Sequence, residues 1–290
     1  MCRTVDLRHA VLAKNDDLAA ELRAELAARD VTAVNLMSSP GSGKTALLER
    51  VLTRAGERHV HAAALTADLA TENDARRLAR SGAPVRQVLT GGLCHLEAEQ
   101  VRGHLTGWLP RDTRVLFVEN VGNLVCPAGY DLGESLRVVL MSVTEGEDKP
   151  VKYPTAFGLA QLVVLTKTDL AQAVEFDEDA FAAHVQQINP GVEVLRTSAR
   201  TGQGVEELLD RALATCAGVR PHQPVLARRH ARGHGHEHGP EHAHEPVPEH
   251  SHEPGPQHAH AHAAADEPGH AHSDGPVPAE AAFQTVSEGS

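Results

Sequence analysis

The run SSPGSGKT, Ser38 to Thr45, constrains this chain more than any other stretch. It follows an apolar strand candidate, Val31 to Met37, and precedes a helical pattern from Thr45 to Arg54. Strand, Gly-Ser loop and helix in that order form the context a phosphate-binding loop needs. Gly41 and Gly43, with Ser42 between them, let the backbone turn its N–H groups inward around phosphate oxygens. Lys44 is placed to reach the β and γ phosphates, and Thr45 offers a hydroxyl to Mg²⁺. The plain alternative is a capped helix after a Gly-rich turn. Gly-Lys-Thr in this register behind a strand favours nucleotide binding over it, although the usual pattern begins with Gly where this chain has Ser38.

Further strand candidates are His59 to Leu65, Val85 to Leu89, Val115 to Val118, Leu136 to Val143, Leu162 to Leu165 and Val192 to Leu195. Helical patterns lie between most of them, over Glu72 to Arg80, Leu96 to Leu105, Glu178 to Ile188 and Val205 to Ala214. Continuous apolar strands alternating with helices imply an α/β fold with a mostly parallel sheet, flanked by helices on both faces. Ahead of it, Val11 to Arg29 places Leu12, Leu18, Leu22 and Leu26 mostly on one helical face. The expected organisation is an N-terminal helical segment over 1–30, a nucleotide-binding domain over 31–220 and a disordered His-rich tail over 221–290.

Which base is bound is a separate question. TKTD, Thr166 to Asp169, follows the strand LVVL, and ligands gather at the carboxyl ends of such strands. The Asp169 carboxylate can accept two hydrogen bonds from guanine N1–H and N2–H₂, whereas adenine offers no matching donor pair. Lys167 can lay its methylene stem over the base plane, and TSAR, with Ser198 and Ala199, can close the pocket. Asp169 capping a strand-to-helix turn is the simpler alternative. Mg²⁺ and hydrolysis need carboxylates near the phosphates. Glu119, read as the end of the strand RVLFVEN, occupies with ENVG the place where the γ-phosphate is sensed. Asp68 is a further candidate for the metal or the attacking water, ahead of Asp74, which suits a helix cap.

Charge separates the body from the tail. The chain carries 27 Lys and Arg against 39 Asp and Glu, a net of -12, but ten of the acids and no Lys or Arg lie beyond Arg232. The body is therefore nearly neutral, which argues against nucleic acid wrapped by an overall field. No apolar run approaches the roughly 18 residues of a membrane span, and the start lacks a signal peptide's apolar stretch, so a cytoplasmic protein is expected. The four cysteines are too scattered for a disulfide scaffold and read as free thiols or metal thiolates.

Thirteen of the 20 histidines fall between His230 and His272, in an imperfect eight-residue repeat such as EHAHEPVP and EHSHEPGP. His-x-His steps recur at His234, His236 and His238, at His242 and His244, at His250 and His252, at His258, His260 and His262, and at His270 and His272. Recurrent Pro blocks helix and ladder alike. A solvated linker is one reading of such a repeat. A labile Ni²⁺ or Zn²⁺ store is the favoured one, because several neutral imidazoles on a flexible chain can converge on one ion.

Cys94 and His95 are adjacent, and Cys126 stands seven residues after Glu119, on the segment expected to respond to the γ-phosphate. A buried Cys is more often an apolar filler than a ligand. Thiolate and imidazole together nevertheless suit Zn²⁺ or Ni²⁺, and a phosphate-sensing loop that carries one thiolate would couple nucleotide state to metal affinity.

Taken in order, SSPGSGKT, TADLATENDA, GGLCHLEAEQV, ENVGNLVCPAGYDLGE, TEGEDKPVKYP and TKTD resemble the hydrogenase nickel-incorporation GTPases of the HypB family, within the wider CobW/HypB/UreG class. The resemblance runs from about Leu12 to Cys216. It implies a P-loop GTPase that turns over slowly and forms a homodimer dependent on GTP or metal. It also implies Ni²⁺ or Zn²⁺ on Cys94, His95 and Cys126 at or near the interface, with Lys149 acting across it. A HypA-type nickel chaperone and the hydrogenase large subunit are the implied partners, and delivery of nickel for [NiFe] hydrogenase maturation the implied role. A nickel or zinc store with nucleotide-controlled dimerisation, and a urease-type accessory GTPase, are the alternatives. The sequence departs from the family at Glu99, where some members have His, at the N-terminus, where only Cys2 represents a longer Cys motif, and in the C-terminal place of its His-rich segment.

Overall fold

The structure, a computed structural model, describes residues 2–68 and 73–227, with side chains from residue 10 onward. The tail histidines from His234 to His272 and the Cys2 side chain lie outside these residues.

The elements in chain order are α1 (Cys2–Ala28), β1 (Thr32–Ser38), α2 (Lys44–Glu57), β2 (Ala62–Asp68), α3 (Asn73–Leu78), β3 (Val85–Leu89), α4 (Ala98–Leu105) and β4 (Val115–Gly122). They continue with β5 (Leu136–Ser142), α5 (Lys149–Lys152), α6 (Pro154–Gly158), β6 (Leu162–Thr166), α7 (Glu178–Ile188), β7 (Val194–Arg196) and α8 (Val205–Cys216). Among the described residues seven strands form one sheet in the order β3-β2-β4-β1-β5-β6-β7. Every pairing is parallel. The expected α/β class with both sheet faces covered is the observed one.

Alternation along each strand feeds two layers. Val34 and Leu36 of β1, Val115 and Phe117 of β4 and Val138 and Leu140 of β5 pack with Leu47, Leu48 and Val51 of α2 and Leu208 and Leu209 of α8. Their neighbours Ala33, Leu116 and Val118 turn the other way, onto Leu22 and Leu26 of α1 and Val101 and Leu105 of α4. Farther along that face, Met37, Val139 and Val163 meet Phe157 and Phe181. The N-terminal helix thus joins the cover of the sheet, and the Arg23 guanidinium ties it to both Asp131 oxygens at 2.6 Å.

Three strand readings shift by more than one residue at an end, one of them β7, which begins at Val194 rather than Val192. β2 begins at Ala62 rather than His59, because His59 takes a left-handed φ of 54° and closes the turn after α2. β4 runs on to Gly122, so Glu119 lies within the strand and does not end it. Its acid tail is tolerated there because hydroxyl donors meet it.

Candidate nucleotide and metal site

The loop between β1 and α2 turns on Gly41 (φ 73°) and Gly43 (φ 92°), left-handed conformations that a side chain would strain. It delivers Lys44 and Thr45 to the first turn of α2. Lys44 is buried and its Nζ donates to Ser38 Oγ at 3.0 Å, so the departure from the usual leading Gly becomes a hydroxyl acceptor for the lysine. Burial lowers the Lys44 pKa, while Glu119, Asp74, Glu145 and Asp68 pull it back.

Glu119 is the centre of this end of the sheet. Thr45 Oγ1 donates to its Oε1 at 2.6 Å and Thr66 Oγ1 to its Oε2 at 3.1 Å. Burial raises its pKa, against the opposing pull of Lys44 and the two hydroxyls. A cavity of about 410 Å³ is lined here by the loop from Pro40 to Ala46, by Asp68 and Asp74, and by Glu119 to Gly122. Asp74, ranked behind Asp68 in the sequence, faces the same cavity. The hydroxyl and carboxylate oxygens of Thr45, Glu119 and Asp68 are hard donors that fit Mg²⁺. Gly122 brings β4 against the loop: a Cβ there would stand 3.2 Å from Pro40 Cα.

A second cavity, about 550 Å³, adjoins it and is lined by Lys167, Asp169 and Ala199 among others. Asp169 is held at both oxygens, by Ser198 Oγ at 2.5 Å and Arg200 Nε at 2.7 Å. The Ser198 hydroxyl first, then the Arg200 guanidinium, keep its carboxyl below the usual range. The pair therefore presents a fixed, ionised acceptor. Lys167, itself left-handed at φ 56°, reaches across Gly43 to donate from Nζ to Gly41 O at 2.7 Å. Thr166 Oγ1 donates to Ser42 O at 2.6 Å, so the base loop is braced on the phosphate loop by a threonine hydroxyl.

The thiols come together on the other side of β4. Cys94 and His95 occupy the loop between β3 and α4, and Cys126 the loop after β4. The Cys94 thiol is placed beside that of Cys126, and this neighbour together with burial raises its pKa. Cys94 Sγ lies 3.7 Å from His95 Nδ1, and the imidazole stacks on Tyr130 with centroids 3.9 Å apart. His95 Nε2 is buried without a hydrogen-bond partner, 3.5 Å from Glu97 Oε1. Among the described residues no group of three His, Cys, Asp or Glu is closed around a metal position. Glu99 is exposed, and Lys149 Nζ pairs within its own chain with Glu145 Oε2 at 3.0 Å.

A buried polar network absent from the motif reading joins the two regions. Asn120, next to Glu119, donates to Asn35 at 3.4 Å, and Asn35 to Glu134 at 3.4 Å. Arg137 Nε donates to Glu134 at 2.6 Å, and its Nη atoms donate to the carbonyls of Ala128 and Tyr130, just beyond Cys126. Burial alone would push the Glu134 carboxyl up. Arg137 and backbone N–H donors reverse that and hold it at about 2. A Glu just ahead of the otherwise apolar β5 and an Arg within it were the available signal.

A phosphate loop at the head of a parallel sheet, with a carboxylate-bearing base loop beside it, defines a P-loop nucleotide-binding protein. The CobW/HypB/UreG nucleotide-binding domain matches residues 32–196. The hydrogenase maturation factor HypB of Azotobacter chroococcum is 47% identical over 207 residues, covering 71% of this chain and 68% of the relative. The structure of HypB from Archaeoglobus fulgidus aligns with a TM-score of 0.65 at 39% identity, over 70% of this chain and 99% of that one. That of HypB from Helicobacter pylori in complex with nickel gives 0.67 at 34%, over 72% and 98%. The chain belongs to the CobW/HypB/UreG family and, within it, to the HypB hydrogenase maturation factors.

Proposed function

We propose that the protein is a GTP-hydrolysing nickel metallochaperone, which stores Ni²⁺ on its tail and releases it from Cys94, His95 and Cys126 during [NiFe] hydrogenase maturation. The observation that carries this reading is the continuity of one segment. Glu119, which accepts from the Thr45 hydroxyl, and Cys126, the thiol beside Cys94, belong to a single stretch that leaves the sheet at Gly122.

In this reading Gly41 to Thr45 cradle the phosphates, and Lys44 neutralises charge on the β and γ oxygens. Lys167, Asp169, Ser198 and Ala199 hold guanine. Thr45, Asp68 and Glu119 hold Mg²⁺, which when bound supplies charge neutralisation at the phosphates. Asp68 and Glu119 also orient the attacking water. Thiolates and imidazole take Ni²⁺, or Zn²⁺ in its place. Among the described residues no three such groups are closed around a metal position, which supports completion of the Cys94, His95 and Cys126 site by a second copy, in a homodimer formed on GTP or metal binding. A HypA-type nickel chaperone upstream and the hydrogenase large subunit downstream are the partners this role requires, in the cytoplasm. Among the described residues no helix is long and apolar enough to cross a membrane.

The test measures Ni²⁺ binding to the full chain by the near-ultraviolet charge-transfer absorption of nickel thiolates, which tail imidazoles do not produce. Titrations with GDP and with a non-hydrolysable GTP analogue should give different affinities, and the absorption should vanish in Cys126→Ala. Identical curves, or an absorption untouched by Cys126→Ala, refute the coupling. Phosphate release that survives Lys44→Ala refutes the GTPase reading.

A further inference from the structure

The two cavities beside the phosphate loop share a wall, and Gly43, Ala46 and Arg77 line both. If the triphosphate occupies one and the base the other, the wall between them is where the ribose and α-phosphate pass. Gly43 and Ala46 belong to the phosphate-loop segment and its helix. Arg77 comes from α3, just beyond the TADLATENDA run, whose Asp74 is the residue of this helix that the motifs offer for the site.

Charge at the triphosphate cavity makes this arginine informative. Among its described lining residues the carboxylates are Asp68, Asp74 and Glu119, and the cations are Lys44 and Arg77. Lys44 sits at the closed end of the loop, beside Ser38 and Glu119, so it serves the far phosphates. Arg77 is the cation left for the near end. A guanidinium suits a phosphate there, because it stays charged and offers forked N–H donors.

The side chain is already held for that role. Arg77 Nε donates to Glu49 Oε2 at 2.7 Å, and Glu49 lies on α2 one turn beyond Thr45, lining the base cavity. The arginine is 45% exposed and the glutamate 21%, so this is a partly solvated ion pair of the kind that contributes little by itself. A phosphate with a full negative charge can share or take over the guanidinium at small cost.

We propose that Arg77 binds the α-phosphate of the guanine nucleotide at the junction of the two cavities, with Glu49 as its resident counter-ion and competitor. This rests on the nucleotide reading above and deepens it. Because every guanine nucleotide carries an α-phosphate, the contact does not distinguish GTP from GDP. It sets how tightly the site holds either.

The test is a set of competition titrations on the full-length protein, displacing a fluorescent GDP analogue with guanosine, GMP, GDP and GTP. Arg77→Gln should weaken GMP, GDP and GTP alike by about tenfold and leave guanosine unchanged. Arg77→Lys should recover part of the loss, since it keeps the charge and gives up the fork. Glu49→Gln should tighten the three phosphorylated ligands by a few fold, roughly what a partly exposed pair is worth. Three outcomes overturn the proposal: unchanged binding of all four ligands, a loss confined to GTP, which would place Arg77 at the γ-phosphate, or an equal loss for guanosine, which would make the residue structural. Failure of the unmutated protein to bind any guanine nucleotide removes both readings. Binding that is lost in Lys44→Ala but untouched by Arg77→Gln removes this one alone.

Discussion

The nucleotide end of the sheet and the thiol loops behind it are built to different standards of completeness. At the nucleotide end two of the acids are held at both oxygens: Glu119 by Thr45 and Thr66, Asp169 by Ser198 and Arg200. Glu119 and Thr66 sit within strands and Thr45 on a helix start, where backbone hydrogen bonding fixes position. The thiol side rests on two loops, with the Cys94 and Cys126 thiols side by side and a buried imidazole nitrogen that has no hydrogen-bond partner. An anion finds donors already aimed at it. On the reading proposed above, a metal ion would bring the loops into register, to be gripped in one nucleotide state and released in another.

The largest expected effect comes from removing what supports the thiol loops. Glu134→Gln leaves Arg137 buried against a neutral partner, and loss of one member of such a pair costs about 3–5 kcal/mol. Chemical denaturation at neutral pH should read that loss. The Glu134 carboxyl is held at about 2, below its ordinary 4.5, so its contribution to stability is complete above pH 4.5 and lost as pH falls toward 2. Stability of the unmutated protein should therefore fall over that window, with a shallower slope in Glu134→Gln. Equal slopes would separate Glu134 from the loops' support.

Asp169→Asn comes next and addresses the nucleotide side alone. Guanine's paired donors would meet an amide N–H, and the preference for GTP over ATP should fall by about 100-fold in competition titrations. Thermal stability of the nucleotide-free protein should change little, because the amide oxygen still accepts from the buried Ser198 hydroxyl and the exposed Arg200 can turn to water. Cys126→Ala is the matching change on the metal side. It should weaken thiolate-bound Ni²⁺ by at least about tenfold and leave GDP affinity within about twofold, because Cys126 lines neither nucleotide cavity. A large GDP effect would mean that the two regions are one site.

Gly122→Ala should act least. Its Cβ would meet Pro40 Cα at 3.2 Å, so the phosphate loop must give by a few tenths of an ångström. An overpacking cost of about 1 kcal/mol is expected, read as a lower melting temperature, with nucleotide affinity a few fold weaker.

Much of this was legible along the chain, for local reasons. The phosphate loop, TKTD and TSAR are contiguous motifs whose chemistry depends on neighbours in sequence, and β3 and α7 fall where periodicity puts them. The extent of β4 was not legible. Glu119 and Asn120 look like the end of an apolar strand, yet both are buried inside it, because Thr45, Thr66 and Asn35 approach from other elements. Arg77 escaped for a similar reason. Its charge pattern is that of a solvated helix, and only the packing of α3 beside α2 turns it toward the cavities.

The sequence by itself determined the strand-loop-helix unit, the parallel α/β class, the guanine-type base loop and the presence of thiols near a phosphate-sensing segment. Each of these follows from short-range periodicity or from motifs a few residues long. Only the tertiary structure decided that Cys94 and Cys126 lie side by side, that Glu134 and Arg137 tie the Cys126 loop to the sheet, and that Arg77 lines both cavities. Those contacts join separate elements of the fold. Their free energy comes from burial and hydrogen bonding that exist only once the layers have closed.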